Sequence, residues 1–258
     1  GQRTQRDPWH LTQAPSAGIS RGVPSVLAPA QVAVVTGDGE VGAAFSSRPF
    51  DHILFTGSTA GGKKVAEAAA HNLTPVTLER GGKSPVVIDA GTPLHRAANR
   101  FAFGKLTNAG QTGVAPDYGV IHEGEQEAFA TAYQEAVQKL HPGGYAGSPD
   151  YTAILNQHHY KRLSGLVSDA QTQGARVIHL GTNSDDDHVL APVLLLNVTP
   201  QMAVMQEEIF GPVLPVLTYR TLDEAIAFIN ARPRPLALYY FGEKRAERDR
   251  LLSHPISG

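Results

Sequence analysis

The stretch DHILFTGSTAGGKKVAEAAAHNLTPVTLER (residues 51–80) decides the fold class. Residues 52–55 form a short apolar run that stops at the turn TGST (56–59), and they read as a strand. The Ala-rich segment 64–71 predicts a helix, and residues 76–78 predict the next strand. Strand, turn, helix and strand in succession make a βαβ unit, which calls for a parallel sheet. Upstream, VAVV (32–35) is a β-branched run ending at TGDG, read as another buried strand, and 40–47 as a short helix. Downstream the alternation continues. Strands are expected at 85–88, 120–122, 177–180, 189–195, 213–219 and 236–241. Helices are expected at 95–106, 125–140, 158–173, 222–230 and 244–252. The fold class is therefore α/β, in two lobes with a seam near residues 86–93. Residues 1–27 lack either periodicity and are rich in Gln, Arg, Ser, Pro and Gly, so they are expected to be an unstructured leader.

Composition narrows the function classes. At 258 residues, with 41% hydrophobic and 18% charged content, the chain has the material for a packed soluble core. A net charge of -2 supplies no basic field for a polyanion, so a nucleic-acid partner is not expected. No apolar run has the length of a membrane span, and no signal-peptide pattern is seen. Cysteine is absent, which removes disulfides and thiolate metal sites and fits a cytoplasmic setting. His158 and His159 are adjacent, and neighbours on a helix point in different directions, so no metal is expected there.

Three segments carry candidate chemistry. FTGSTAGG (55–62) is a Gly-rich turn between strand and helix, where backbone N–H groups and the helix dipole favour an anion. LERGGKSP (78–85) sets Glu79 beside two glycines. EEIFGPVLPV (207–216) sets two acids ahead of an aromatic and a Gly-Pro turn. Each alone is ordinary: a turn, a solvated glutamate, a loop.

In this order, with NAGQTGVAP (108–116) between the last two, they resemble the coenzyme and catalytic motifs of the aldehyde dehydrogenase superfamily. The likeness runs over residues 28–258. AVVTGDGEVGAAFSSRPFDHILFTGSTAGG (33–62) and RPRPLALYYFG (232–242) are most similar to its coniferyl-aldehyde type. The resemblance implies part of a Rossmann-like parallel sheet at 28–88 and most of an α/β catalytic lobe at 89–258, as an internal fragment of a longer fold. It implies NAD or NADP as cofactor, with Gly57, Ser58 and Gly62 at the nicotinamide and pyrophosphate, Glu208 on the ribose and Phe210 packed nearby. It implies Glu79 as the general base, and residues 108–112 as the loop before the nucleophile. Gly113 then occupies the nucleophile's own position, where the family has cysteine. Arg80 stands where the family has leucine, and a cation close to Glu79 would weaken that base.

Oxidation in this family needs a thiolate to hold the acyl group, and glycine has none. The expectation is a chain defective in aldehyde oxidation. One alternative is a cofactor-independent ester hydrolase, using water activated by Glu79 or an unidentified serine; no G-x-S-x-G or S-x-x-K signature is present. The other is a non-catalytic, truncated pseudoenzyme. Either way the expected partner is a small aldehyde or ester, with homo-oligomer formation through faces that the truncation exposes.

Overall fold

Alternation in the first strand sets the pattern of the smaller unit. The computed structural model describes residues 22, 28, 31–37, 39–255 and 257. The expected leader lies outside the described residues apart from Gly22. In β1 (Ile53–Gly57) the side chains of Ile53 and Phe55 face inward while Leu54 is exposed, as the two-residue period of a strand dictates. β1 pairs in parallel with β2 (Val76–Arg80). The crossover is α2 (Thr59–Ala70), whose Val65 and Ala69 complete a small core with Ile53 and Phe55. A short helix α1 (Gly39–Ser46) precedes them. The return from α2 is fastened by Thr74 N–H to Ala69 O at 3.1 Å and by the Thr74 hydroxyl to Phe50 O at 3.0 Å.

Residues 32–35 do not form the expected buried strand. They lie in no ladder, and Val32 and Val35 are exposed. β-branched side chains favour a strand only where a neighbour offers a ladder and a layer to pack against. Among the described residues this unit's sheet has two strands, and neither pairs with that run.

The compact units divide between Arg80 and Gly81, ahead of the expected seam at 86–93. The reason is β3 (Pro85–Ile88), a wholly buried strand that belongs to the larger sheet. That sheet has six strands in the order β5-β6-β7-β4-β3-β8. Its other members are β4 (Tyr118–His122), β5 (Arg176–His179), β6 (Val193–Leu196), β7 (Val213–Tyr219) and β8 (Tyr239–Phe241). β3, β4, β6, β7 and β8 are parallel along their shared ladders, and β5 alone runs antiparallel, on β6. β6 is shorter than its expected 189–195 span; Val189 instead makes an isolated bridge with Ser184. β8 keeps only the last half of 236–241 because Ala237 N–H turns to the Ser84 hydroxyl at 3.3 Å.

α3 (Leu94–Leu106), α4 (Gln126–Leu140), α5 (Gln157–Thr172), α6 (Leu222–Asn230) and α7 (Arg245–Ser253) complete the unit. Side chains from α3 and α4 meet through the rings of Phe101, Phe129 and Tyr133, whose centroids are 5.8 to 6.0 Å apart. β3 and β6 are buried at every position, which is how a strand covered on both faces reads in sequence. Because β3, β4, β7 and β8 share one direction, the loops that enter them lie along one edge of the sheet. These are residues 81–84, 107–117, 207–212 and 232–238, and they carry Gly113, Glu208 and Phe210. Among the described residues no helix is long and apolar enough to cross a membrane.

Candidate functional site

The loop entering β4 is built on unfavourable backbone. Asn108 and Ala109 lie at φ 53° and 51°, left-handed values that cost L-residues about 1 kcal/mol or more each. Gly110 follows at φ 76°, where a Cβ would sit 2.4 Å from Gly211 O, so only glycine fits. Gln111 holds this shape. Its amide N–H groups donate to Asn108 O at 3.2 Å and Ala153 O at 3.0 Å, and its carbonyl accepts Leu155 N–H at 2.9 Å. The loop thus delivers residue 113 in a fixed place at the sheet edge.

Gly113 itself is different. Its φ is not left-handed, and a Cβ built there meets only Leu236 Cδ2 at 3.6 Å and Gly81 Cα at 3.9 Å. Those are ordinary van der Waals contacts, so nothing in the packing requires glycine. Gly113 is half-buried, and its backbone makes no hydrogen bond among the described residues.

The loop entering β7 brings Glu208 to the same place. A Cβ on Gly81 would lie 2.0 Å from Glu208 Oε1, so the carboxyl group rests in the space left by that glycine. Gly81 therefore touches both the Glu208 carboxyl and the Gly113 position. Burial, then the neighbouring Asp117 charge, pushes the Glu208 carboxyl above the ordinary carboxylate range. The Gly82 N–H, Lys83 and Arg162 oppose that shift. Phe210, at φ 50°, is more than a third exposed, and so is available to pack on a ligand.

Beneath these residues lies a polar cluster that motif reading passed over. Asp117, almost fully buried, accepts from Lys83 Nζ through Oδ2 and from Ile209 N–H at 2.9 Å through Oδ1. Lys83 also donates to Val204 O at 2.7 Å and Glu207 O at 2.8 Å. Arg162 donates to Glu207 Oε1 at 3.1 Å, Glu208 O at 3.3 Å and Ile209 O. This cluster fixes the backbone on both sides of Glu208. Lys105 is 1% exposed, with no hydrogen bond or ion pair among the described residues. Burial lowers its pKa from 10.5 to about 8, against the pull of Asp117. Lys83 stands inside LERGGKSP and Asp117 directly follows NAGQTGVAP, as charges among Gly, Pro and apolar neighbours. Lys105 and Arg162 sit on helices with no comparable signal.

In the smaller unit the expected coenzyme residues occupy a strand-to-helix turn. Ser58 caps α2, its hydroxyl accepting Gly61 N–H at 3.1 Å. A Cβ on Gly57 would lie 2.6 Å from Cζ of Phe55. Gly62 is buried against β2, with Arg80 Cδ 3.3 Å and Leu78 Cδ1 3.7 Å from where its Cβ would be. Arg80 thus shares a strand face with Leu78 and lies over α2. Glu79 is exposed on the other face, and no ion pair joins the two among the described residues. Adjacent strand residues point to opposite faces, so the Arg80 and Glu79 side chains diverge. The structure describes Glu79 in one unit, and Gly113 with Glu208 in the other.

A family model described as "Aldehyde dehydrogenase family" matches residues 16–254. A probable coniferyl aldehyde dehydrogenase of Pseudomonas aeruginosa is 52% identical over 228 residues, 88% of this chain and 48% of that protein. The structure of Staphylococcus aureus AldH in its substrate-bound state superposes with a TM-score of 0.87 at 42% identity, covering 93% of this chain and 52% of that one. The P. syringae indole-3-acetaldehyde dehydrogenase AldA, a mutant in complex with NAD+ and IAA, gives a TM-score of 0.80 at 28% identity, over 87% and 47% of the two chains. The chain spans about half the length of the curated relatives it matches.

Proposed function

Because the chain belongs to the aldehyde dehydrogenase family, we propose that it carries that family's acyl-handling loop without the nucleophile, and does not itself oxidise aldehydes. The supporting observation is the space at Gly113: the loop is braced through Gln111, yet residue 113 has room for a side chain that it lacks. A thiolate there would attack the aldehyde carbon and hold the acyl group covalently; hydrogen cannot.

NAD or NADP, when bound, accepts the hydride in the family's reaction. In the first unit Gly57 and Ser58 offer the opened end of a capped helix, suited to a phosphate, and Gly62 lets α2 pack closely on β2. In the second unit Glu208 offers a carboxyl group suited to a ribose hydroxyl pair, and Phe210 an exposed ring. Each donor set, taken within its own unit, suits one part of a dinucleotide: a phosphate in the first and a ribose in the second.

The test is NADH or NADPH formation from coniferyl aldehyde, benzaldehyde and short aldehydes, by this chain and by its Gly113→Cys variant. The expected result is no turnover by the parent and measurable turnover by the variant. Robust turnover by the parent would overturn the reading.

A further inference from the structure

We propose that Tyr239 is a positioning residue for position 113: its hydroxyl clamps the Val114 carbonyl, and so holds the turn that would present a nucleophile there. This deepens the proposed function and rests on residue 113 being the acyl-handling position.

The turn at residue 113 is the least supported part of its loop. Ala115 N–H donates to Thr112 O at 3.1 Å, which makes Gly113 and Val114 the central pair of a β-turn. Both ends are fixed. Gln111 is bonded to Ala153 and Leu155 on one side, and on the other Asp117 N–H donates to Ser84 O at 2.8 Å. Between the ends, Gly113 has no side chain to pack, and Val114 is 55% exposed. Among the described residues neither makes a backbone–backbone hydrogen bond. The bond that does reach this pair comes from outside the loop, from Tyr239 Oη to Val114 O at 2.5 Å.

The donor is anchored elsewhere. Tyr239 belongs to β8, where it pairs with Val86 of the wholly buried β3. A tyrosine turns about two side-chain torsions only, so a strand that fixes its Cα also confines its hydroxyl. Burial pushes the Tyr239 hydroxyl above its ordinary pKa, so it stays a protonated donor. It has no second partner among the described residues, so the bond serves this turn alone. The next tyrosine is the contrast. Tyr240, on the opposite face of the strand, donates to Asp89 Oδ2 at 3.1 Å, in the segment that leaves β3.

A nucleophile must meet its carbonyl along a narrow approach, and a misplacement of about 1 Å can cost about a hundredfold in rate. A turn held at its ends alone lets residue 113 rock about the line from Thr112 to Ala115. A third fixed point, at the Val114 carbonyl, stops that motion.

The experiment is amide hydrogen exchange, read residue by residue by NMR, on the full chain and on its Tyr239→Phe and Tyr240→Phe variants. Ala115 N–H reports whether the turn is closed. Its exchange should quicken about five- to tenfold in Tyr239→Phe. It should stay within about twofold in Tyr240→Phe, which removes an equivalent hydroxyl from the same strand. A bond that merely stabilised β8 would instead quicken exchange along the strand in both variants. Unchanged Ala115 exchange in Tyr239→Phe, or equal changes in the two variants, would overturn the proposal. The catalytic consequence is read on Gly113→Cys: adding Tyr239→Phe should lower kcat for aldehyde oxidation about tenfold with KM unchanged. An unchanged kcat would overturn the positioning role. A Gly113→Cys chain that forms no NADH or NADPH would overturn the acyl-handling reading instead, and Ala115 exchange would still decide the clamp by itself.

Discussion

The turn at residues 55–62 and the loop at residues 107–113 are both rich in glycine, but one glycine of the loop lacks the steric reason that the others have. In the turn, each glycine is explained by what lies against it. The Phe55 ring lies over Gly57 and Gly61, and Arg80 and Leu78 lie over Gly62. In the loop, Gly110 is explained in the same way, by φ 76° and by Gly211 O. Gly113 is not. Its neighbours leave ordinary contact distances, and its backbone is of a kind any residue adopts. Under the proposed function, this glycine without a steric reason, at the end of a strained and braced loop, stands where the nucleophile would be.

The comparison can be broken by substitution. Gly110→Ala has the largest expected effect: a left-handed residue with a side chain pressed on backbone should cost roughly 3 kcal/mol or more. Denaturant unfolding of the variant measures it, and a loss below about 1 kcal/mol would show that the loop is softer than its geometry indicates.

Lys105→Met tests the floor under the loop, in the opposite direction. The folded chain releases the Lys105 proton at about 8, whereas the unfolded chain holds it to 10.5. Between those values the unfolded state binds more protons, so stability rises with pH across that window. Below it the buried charge is a fixed penalty. The methionine variant should be more stable at pH 7 by on the order of 2–3 kcal/mol, with the rise between pH 8 and 10.5 flattened. Thermal unfolding across that pH range checks both features.

Gly57→Ala should cost about 1–2 kcal/mol, because the Phe55 ring it meets is part of the small core. Gly113→Ala should do the reverse, stabilising by about 0.4–1 kcal/mol through a less flexible unfolded chain. Equal losses in Gly57→Ala and Gly113→Ala, read side by side in denaturant, would erase the distinction between the two regions.

Much of the architecture was legible because strands and helices here keep their periods. Helix 222–230 and strand 213–219 fall where apolar spacing places them. Residues 32–35 misled because a β-branched run says nothing about whether a partner strand exists. The reversed direction of β5 was hidden for the same reason: pairing sense is a property of the neighbour, β6. At the site, the motifs marked Glu208 and Gly113 separately. Only folding shows that Gly81 adjoins both, and that Lys105, an unremarkable helix lysine, is buried with no side-chain hydrogen bond among the described residues.

The central claim is that residue 113 stands in a place shaped for a reactive side chain. The chain has no cysteine, so Gly113→Cys carries a single thiol, and iodoacetamide labelling of the folded variant reads that position alone. The account predicts one label per chain in native buffer, with a stability within about 1 kcal/mol of the parent. A thiol that reacts only after unfolding, or a variant destabilised by several kcal/mol, would contradict it.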